Sequence, residues 1–400
     1  MKSIQKLLLI LLCLAMTVQG SILQVFAEEG VLPISEETIG PSVGAAEGSL
    51  ELPCKSAILM EANTGTILYT QNAEEALPPA SVTKIMTLLL VMEAVDAGTL
   101  HLEDRISVSA NAASMGGSQV YLKEGEIMTV EDLLKSVVIA SANDAAVALA
   151  EYICGSIPAF VEKMNTRARQ LGMQNTVFEN VTGLDDTAER HLTSAHDIAL
   201  MSQALISHKT ILQYSSIWMD TIRDGEFGLT NTNRLVRFYP GCTGLKTGST
   251  SKAGFCVSAT AERDGMSLIC VIMGAESRDV RNATATQLLD WGFANYGIYS
   301  AERAELDPLV LQGGCQSTCK IAYDAFSCVL PKNEISLVEI TVTVPEKLPA
   351  PIFENSAVGE AVFSVKGRVI GTRDVVALEQ VERINFFQIF RRMLTRFLLI

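Results

Sequence analysis

The sequence predicts an α+β protein in which helices flank an antiparallel sheet, followed by a small β-rich domain and a C-terminal amphipathic helix. Three observations support this fold class. Strand-like segments lie on both sides of a helical middle within residues 54–300, so the two ends can pair in one sheet with helices packed against it. Residues 301–380 contain alternating strand patterns broken by prolines. Residues 381–400 place apolar residues at helical spacing.

Bulk composition limits the class of protein. A chain of 400 residues with 48% hydrophobic residues exceeds what one hydrophobic core usually holds, so we expect a large domain and a smaller one. The same composition argues against disorder. A net charge of -14 lacks the lysine and arginine surplus that phosphate binding requires, so no nucleic-acid partner is expected.

The N-terminus has the pattern of a secretory signal peptide over residues 1–27. Lys2 and Lys6 precede an apolar run over residues 7–18, and Ala27 is a plausible cleavage position. The alternative is an uncleaved membrane anchor, but the apolar run is shorter than the roughly 20 residues that span a bilayer. We therefore expect export, with residues 28–53 as a flexible lead.

Residues 54–300 carry the signals of the larger domain. Residues 56–61 and 66–70 are short apolar runs joined by Ala62-Asn63-Thr64-Gly65, a hairpin pattern. Residues 81–97 are too apolar for a surface helix and predict a buried central one. The further helices are predicted over residues 129–153 with a break at 140–143, over 160–172 and over 282–296, and the further strands over 254–260 and 267–274 with an Asp264-Gly265 turn between them.

The last residues predict a helix with two different faces. At about 100° per residue, one sector collects polar and basic residues such as Arg391, Arg392 and Arg396, and the other is filled by aromatic and aliphatic residues. A basic polar face in an acidic protein fits a helix lying on the outer face of the cytoplasmic membrane. The alternative is a helix that docks on its own β-rich domain or on a partner.

Three short segments carry the candidate chemistry: Ser81-Val82-Thr83-Lys84, Ser141-Ala142-Asn143 and Lys246-Thr247-Gly248. Each is weak alone, because about one or two chance copies of S-x-x-K are expected in a chain of this length. Two decoys are present, Ser3-Ile4-Gln5-Lys6 and Ser109-Ala110-Asn111. The interpretation therefore depends on the order, context and spacing of the segments.

The first two segments can supply a nucleophile and proton carriers. Residues three apart share a helix face, so Ser81 and Lys84 can be hydrogen-bonded, and Ser81 lies at a helix start that can stabilise an oxyanion. Lys84 acts as a base only when neutral, and burial together with a neighbouring cation, Lys246, would favour that form. Ser141 can relay a proton to the leaving amine, while the Asn143 amide can hold a substrate carbonyl.

The third segment can hold a carboxylate. Lys246 and the Thr247 hydroxyl are suitable donors for that group. Gly248 in an edge position lets another backbone approach closely. The Ser249 N–H is the candidate second oxyanion donor.

These residues resemble those of a low-molecular-mass penicillin-binding protein, a serine-type D-alanyl-D-alanine carboxypeptidase. The resemblance covers residues 56–296 and continues to the C-terminus. Ser141 follows Ser81 by 141 − 81 = 60 positions, which suits the family, whereas the decoy Ser109 comes too early and Ser3 lies in the signal peptide. The resemblance implies the serine β-lactamase and penicillin-binding-protein fold.

The family implies that Ser81 attacks the bond between the last two D-alanines of a peptidoglycan stem peptide and that penicillins acylate the same serine. It also implies that Arg281, or alternatively Arg278, helps to bind the terminal carboxylate. Asn231 and Asn233 resemble a family segment with a structural role. Some members carry His where this chain has Ser249.

Two other functions remain open at this point. A serine β-lactamase shares the three motifs but uses an E-x-x-x-N segment for deacylation, and Glu162 and Glu179 are followed four places later by Thr166 and Gly183. A catalytically silent wall-binding protein would lack a motif residue, and none is missing. The carboxypeptidase is therefore the favoured interpretation.

No cofactor or metal is expected. Cys315, Cys319 and Cys328 lack a second C-x-x-C or a histidine at zinc spacing, which favours a local disulfide or free thiols. His191 and His196 lie near aspartates, but ordinary loop or helix-start roles explain them better than a metal site.

Overall fold

The computed structural model describes residues 50–185 and 188–398. The predicted signal peptide (residues 1–27) lies outside the described residues, as do most of the predicted lead and the last two residues of the C-terminal helix. Within the described ranges the predicted α+β class is confirmed, with a helical body packed on an antiparallel sheet and a β-rich part after it.

The larger part contains nine strands and nine helices among the described residues. The strands are β1 (Ser56–Glu61), β2 (Ile67–Gln71), β3 (Arg105–Ser107), β4 (Ile127–Thr129), β5 (Met219–Ile222), β6 (Phe227–Thr230), β7 (Cys242–Thr250), β8 (Gly254–Arg263) and β9 (Met266–Ala275). The helices are α1 (Lys84–Asp96), α2 (Ala110–Ala113), α3 (Val130–Ile139), α4 (Asn143–Cys154), α5 (Ile157–Gln170), α6 (Ala195–Ser207), α7 (Thr210–Ser215), α8 (Leu235–Phe238) and α9 (Arg278–Asn295). A 3₁₀ turn, Ala80–Thr83, immediately precedes α1.

The central sheet is built from the two ends of this part, as the sequence predicts. Its strand order is β2-β1-β9-β8-β7, and β1 pairs antiparallel with β9, for example Ser56 opposite Met273. The turn between β8 and β9 uses Asp264 and Gly265, both with positive φ (50° and 76°). Two consecutive left-handed residues match the right-handed twist of the paired strands, which explains the Asp-Gly pair.

Each face of the sheet packs against a different set of helices. Along β1, Ile58 and Met60 join the core that contains α1, α3, α4 and α6, whereas Ala57 and Leu59 join the core under α9. This alternation follows from the strand period of two. The helix α1 is buried around most of its circumference, which explains why its sequence has no polar face.

Leu52, near the end of the predicted lead, is bonded to β2. Leu52 is buried, its amide donates to Gln71 Oε1 at 3.0 Å, and its carbonyl accepts from Gln71 Nε2 at 3.1 Å. Its apolar side chain packs in the cluster that contains Leu68 and Tyr69, and this burial is favourable.

The β-rich part has its own core. Its elements are β10 (Tyr296–Ala301), β11 (Ala304–Gln312), β12 (Thr318–Tyr323), β13 (Phe326–Pro331), α10 (Lys332–Ile335), β14 (Val338–Thr343), β15 (Lys347–Pro349), β16 (Ala357–Val365), β17 (Arg368–Ala377) and α11 (Phe386–Leu398). Six strands form one sheet in the order β14-β16-β17-β12-β11-β15. Stacked Phe326 and Phe363, with ring centroids 4.2 Å apart, lie in its core.

Candidate active site

The 3₁₀ turn before α1 presents Ser81 to a buried lysine. Lys84 lies one turn later, and its Nζ is 2.9 Å from Ser81 Oγ and 2.9 Å from the Thr182 carbonyl oxygen. The Lys84 side chain is inaccessible to solvent, whereas Ser81 is partly exposed. The predicted i, i+3 pairing of these two residues is therefore present in the structure.

The surroundings of Lys84 favour its neutral form. Burial lowers the pKa of Lys84 well below its ordinary value, and the nearby positive charge of Lys246 lowers it further. Asp144 opposes both effects. In its neutral form a lysine has a lone pair available to accept a proton.

A second serine and a second lysine form a matching pair. Ser141 lies in the break between α3 and α4 with φ of 62°, and its Oγ accepts from Lys246 Nζ at 2.8 Å. Burial, followed by the charge of Arg281, lowers the pKa of Lys246 to about 7. Two Ser–Lys pairs, contributed by three distant segments, thus lie in one site.

Asn143 is almost fully buried, and its amide groups are bonded to the protein itself. Its Nδ2 donates to the Gly116 carbonyl at 2.7 Å and its backbone amide to the Ser118 carbonyl at 2.7 Å, while its Oδ1 has no partner among the described residues. The neighbouring Asp144 carboxylate accepts the backbone amides of Val120 and Leu122. These bonds hold a loop, residues 116–122, beside Ser141.

Sequence reasoning missed this loop. Its contribution consists of backbone carbonyls and amides, which leave no residue signature. One signal was available, because Asp144 is an acidic residue inside an apolar, alanine-rich helix, and a buried carboxylate requires hydrogen-bond partners.

Strand β7 is an edge strand of the central sheet and carries the third segment. The Thr247 hydroxyl donates to Thr232 Oγ1 at 2.8 Å. A Cβ on Gly248 would lie 2.7 Å from the Ser81 nitrogen and 2.9 Å from both Pro79 O and Val82 N. Only glycine permits this approach of β7 to the 3₁₀ turn that carries Ser81.

The remaining predicted residues border this center. Ser249 follows Gly248 on β7 and is exposed. Arg281 is buried in the first turn of α9, and its guanidinium donates to the Cys256 carbonyl at 3.4 Å and to Asn282 Oδ1 at 2.9 Å. Cys256 pairs with Gly248 across β7 and β8, so Arg281 lies one strand behind the glycine.

Asn231 and Asn233 donate to backbone carbonyls of neighbouring segments. Asn231 Nδ2 donates to the Ile217 carbonyl at 2.8 Å, and Asn233 Nδ2 donates to the Gly244 carbonyl at 2.8 Å. The second bond fixes the start of β7 two residues before Lys246. Both asparagines thus have the structural contacts that the resemblance implies.

A second loop that sequence reasoning missed, residues 179–184, packs against the 3₁₀ turn that carries Ser81. Its Thr182 carbonyl binds Lys84, and its Val181 carbonyl accepts from Thr87 Oγ1 at 2.8 Å. A Cβ on Gly183 would lie 1.8 Å from the Ala80 carbonyl oxygen. This loop also acts through its backbone, so no motif revealed it.

The described cysteines and the acidic and histidine residues do not suggest a metal site. All eight cysteines among residues 50–185 and 188–398 are free thiols, and this part of the chain has no group of three His, Cys, Asp or Glu side chains that could hold a metal ion. His191 bonds to Thr83, and His196 Nδ1 lies 2.8 Å from the Glu74 carboxylate.

The paired serines and buried lysines define a serine-type hydrolase site. A family model described as D-alanyl-D-alanine carboxypeptidase matches residues 43–277, and one described as the C-terminal domain of penicillin-binding protein 5 matches residues 310–383. The chain belongs to the D-alanyl-D-alanine carboxypeptidase family. The resemblance and the fold predicted from the sequence are confirmed.

Three known proteins illustrate the relationship. The D-alanyl-D-alanine carboxypeptidase DacF of Bacillus subtilis is 39% identical over 87% of this chain and 91% of its own length. Penicillin-binding protein 5 from Haemophilus influenzae has a TM-score of 0.73 and 29% identity, covering 84% of this chain and 99% of that one. Ampicillin-bound penicillin-binding protein D2 from Listeria monocytogenes has a TM-score of 0.57 and 33% identity, covering 62% and 100%.

Gly248→Ala tests the contact between β7 and the 3₁₀ turn that carries Ser81. Because the added Cβ would overlap the backbone of Ser81 and Val82, we expect the turn to shift by roughly 1 Å and acylation by a fluorescent penicillin to slow about 100-fold. The measurement is the second-order acylation rate constant. Gly228→Ala is the control, because a Cβ there meets no heavy atom within 4 Å. Equal rates in both variants would contradict the assigned contact.

Proposed function

We propose that Ser81 is the nucleophile with which this enzyme removes the terminal D-alanine from peptidoglycan stem peptides. The observation that carries the proposal is the 2.9 Å contact between Ser81 Oγ and the fully buried Nζ of Lys84. Oγ attacks the carbonyl carbon of the penultimate D-alanine as neutral Lys84 accepts the hydroxyl proton. The C–N bond then breaks, an ester forms on Ser81, and water later hydrolyses that ester.

The leaving amine requires a proton, and Ser141 is placed to deliver one. Its hydroxyl accepts a hydrogen bond from Lys246, so its own proton can point into the site while Lys246 replenishes it. The D-alanine then leaves as a neutral amine. When water attacks the ester, the Ser141–Lys246 pair recovers a proton from that water, and protonated Lys84 returns its proton to Ser81 Oγ as the ester C–O bond breaks. Lys84 and Ser141 thus divide the two proton transfers.

Substrate binding is assigned to the residues around β7. Lys246, Thr247 and Arg281 would hold the terminal carboxylate, and the backbone N–H groups of Ser81 and Ser249 would bind the developing oxyanion. Gly248 leaves room for the substrate backbone beside the turn. The second hydrogen of Asn143 Nδ2, which Gly116 does not use, would donate to a substrate carbonyl.

β-Lactam antibiotics are the proposed covalent inhibitors. A penicillin places a carboxylate next to a strained amide, so the same donors and nucleophile can engage it. The ampicillin complex of the Listeria relative supports this proposal.

The β-lactamase and the catalytically silent alternatives are not favoured. Glu179 is exposed, and its carboxylate accepts the Arg190 amide at 3.1 Å rather than facing Ser81. Every residue of the three motifs is present.

Ser81→Ala tests the nucleophile. We expect labelling by a fluorescent penicillin and D-alanine release from a diacetyl-Lys-D-Ala-D-Ala peptide both to disappear, because no oxygen remains to form the ester. Circular dichroism would verify the fold, and Ser249→Ala is the matched control, because only the backbone of Ser249 is assigned a role. Residual labelling at another residue, located by peptide mass spectrometry, would refute the assignment.

Lys246→Gln tests the electrostatic coupling of the two lysines. Removing the Lys246 charge stabilises protonated Lys84 and raises the pKa of Lys84, so the acid limb of acylation should move to higher pH. The sign follows because only neutral Lys84 accepts a proton, and activity is lost as pH falls through its pKa. The measurement is the pH profile of the second-order acylation rate constant.

Lys252→Gln is the control for this profile. Lys252 Nζ donates to the Asp185 carbonyl at 2.9 Å, away from Lys84. An acid limb that stays in place in Lys246→Gln, or that moves equally in Lys252→Gln, would contradict the coupling.

Members of this family are extracytoplasmic cell-wall enzymes, and we propose that α11 keeps this one at the outer face of the cytoplasmic membrane. Phe386, Phe387 and Phe397 are 74%, 80% and 83% exposed, which is unfavourable in water. Basic residues such as Arg391 lie on the other face, which suits anionic lipids. In this arrangement the predicted β-rich domain of residues 301–380 separates the membrane from the predicted catalytic domain of residues 54–300.

No single helix among the described residues is long and apolar enough to cross a membrane. The helices Asn143–Cys154 and Ile157–Gln170, which are bent by 86° relative to each other, reach the length and apolar composition of a membrane span only when they are taken together. Most of the first helix of this pair is buried in the catalytic core.

Phe387→Asp combined with Phe397→Asp tests membrane binding. We expect sedimentation with vesicles of phosphatidylethanolamine and phosphatidylglycerol to fall at least about 10-fold, because two exposed aromatic rings that would enter the membrane interface are replaced by charges. Phe238→Asp is the control, because Phe238 is also exposed (69%) but lies on α8 of the catalytic part. Unchanged sedimentation of the double variant would exclude α11 as the anchor.

A further inference from the structure

A buried histidine connects the 179–184 loop to the 3₁₀ turn that carries Ser81. His191 is 6% exposed, and its ring stacks edge-on against Phe178 with centroids 5.7 Å apart. Its Nε2 lies 2.8 Å from Thr83 Oγ1, inside the S-x-x-K segment. The proposed mechanism uses neither His191 nor Thr83, although Thr83 is only two residues from Ser81.

The hydrogen bonds of His191 define its tautomer and the direction in which each group of the chain donates. The Glu179 amide donates to His191 Nδ1 at 3.0 Å, so the ring proton of the neutral imidazole lies on Nε2 and is donated to Thr83. The Thr83 hydroxyl in turn donates to the Ala80 carbonyl at 2.8 Å. Every donor in this chain therefore has an acceptor, and the chain ends at the residue before the nucleophile.

The acceptor at the end of this chain belongs to a residue in an unusual conformation. Ala80 has φ of 49°, which is unfavourable for a residue with a side chain. Such a conformation persists only where its surroundings hold it. The Ala80 carbonyl is held by Thr83 Oγ1 on one side and by close packing of Gly183 on the other.

The same histidine also fixes the partner of Lys84. Glu179 begins the loop whose Thr182 carbonyl accepts from Lys84 Nζ. A movement of Glu179 away from His191 would therefore displace both the Ser81 turn and the Lys84 acceptor. Burial lowers the pKa of His191 to about 4, against the opposing charges of Glu179 and Asp185, so the ring is neutral at neutral pH.

We infer that His191 is a positioning residue for acylation: by bridging the Glu179 amide and the Thr83 hydroxyl, it holds Ser81 and Lys84 in reactive alignment. It touches no reacting atom and acts through Thr83 and the 179–184 loop. This inference depends on the proposed role of Ser81 as nucleophile. The two are separable, because peptide mass spectrometry identifies the labelled serine independently of the labelling rate.

The test is a set of single and double variants. His191→Phe keeps a ring but removes both hydrogen bonds, and Thr83→Val keeps the shape of threonine but removes its hydroxyl. We expect each to slow acylation of Ser81 by a fluorescent penicillin about 100-fold, since misplacement of reacting groups by roughly 1 Å has that effect. The loss should fall on the acylation rate constant, with the initial binding constant changed less than about 3-fold.

Two comparisons distinguish positioning from general loss of structure. The double variant His191→Phe with Thr83→Val should be no slower than either single variant, because both remove the same link. Thr83→Ser should restore at least about a third of the wild-type rate, since the serine hydroxyl still accepts and donates. His196→Asn should match wild type, because His196 pairs with Glu74 at the surface.

Wild-type acylation in folded His191→Phe, additive losses in the double variant, or a loss confined to the binding constant would each overturn the inference. If His191→Phe does not fold, the difference between Thr83→Val and Thr83→Ser decides the question. Equal rates in those two variants would then overturn it.

Discussion

The burial of Lys84 is the constraint on which the rest of the site depends. A charged ammonium group without solvent is costly, so the structure either pairs it with an acid or keeps it neutral. In this fold the Lys84 Nζ contacts an uncharged hydroxyl and a carbonyl, and the positive charge of Lys246 lowers the pKa of Lys84 further, although Asp144 opposes this effect. A low pKa of Lys84 is thereby maintained. Its maintenance requires that α1 remain covered by the sheet and by the 179–184 loop.

The sheet edge supplies the second constraint. Strand β7 must approach the turn of Ser81 so closely that position 248 has no room for a side chain. The same strand brings Lys246 to Ser141, which lies in the break between two helices. A single edge strand thus contacts both the Ser81 turn and Ser141. This explains why three segments separated by long stretches of chain act as one site.

The sequence predicted the side chains of the site but not its backbone partners. The S-x-x-K, S-x-N and K-T-G segments were recognisable because their residue types and spacing are restricted by chemistry, and α1, β8 and β9 followed from apolar patterns. The full extent of β7 did not. The carbonyls of Gly116, Thr182 and Ala80 could not be predicted, since any residue provides a carbonyl. The sequence likewise predicted that the Asn143 amide faces the substrate. The structure shows that its Nδ2 also donates to the Gly116 carbonyl of the 116–122 loop.

The positive charges of Lys246 and Arg281 near β7 favour an anionic ligand. In a protein with a net charge of -14, acidic partners are plentiful, and most buried cations would be expected to have one. Among the described residues, neither Lys246 nor Arg281 forms a salt bridge, although both are buried, and burial together with the charge of Arg281 lowers the pKa of Lys246 to about 7. Positive charge that is buried here without a salt-bridge partner destabilises the folded protein. Binding of a carboxylate would offset that charge, so the same arrangement that costs stability in the free enzyme favours a substrate that ends in a free carboxylate.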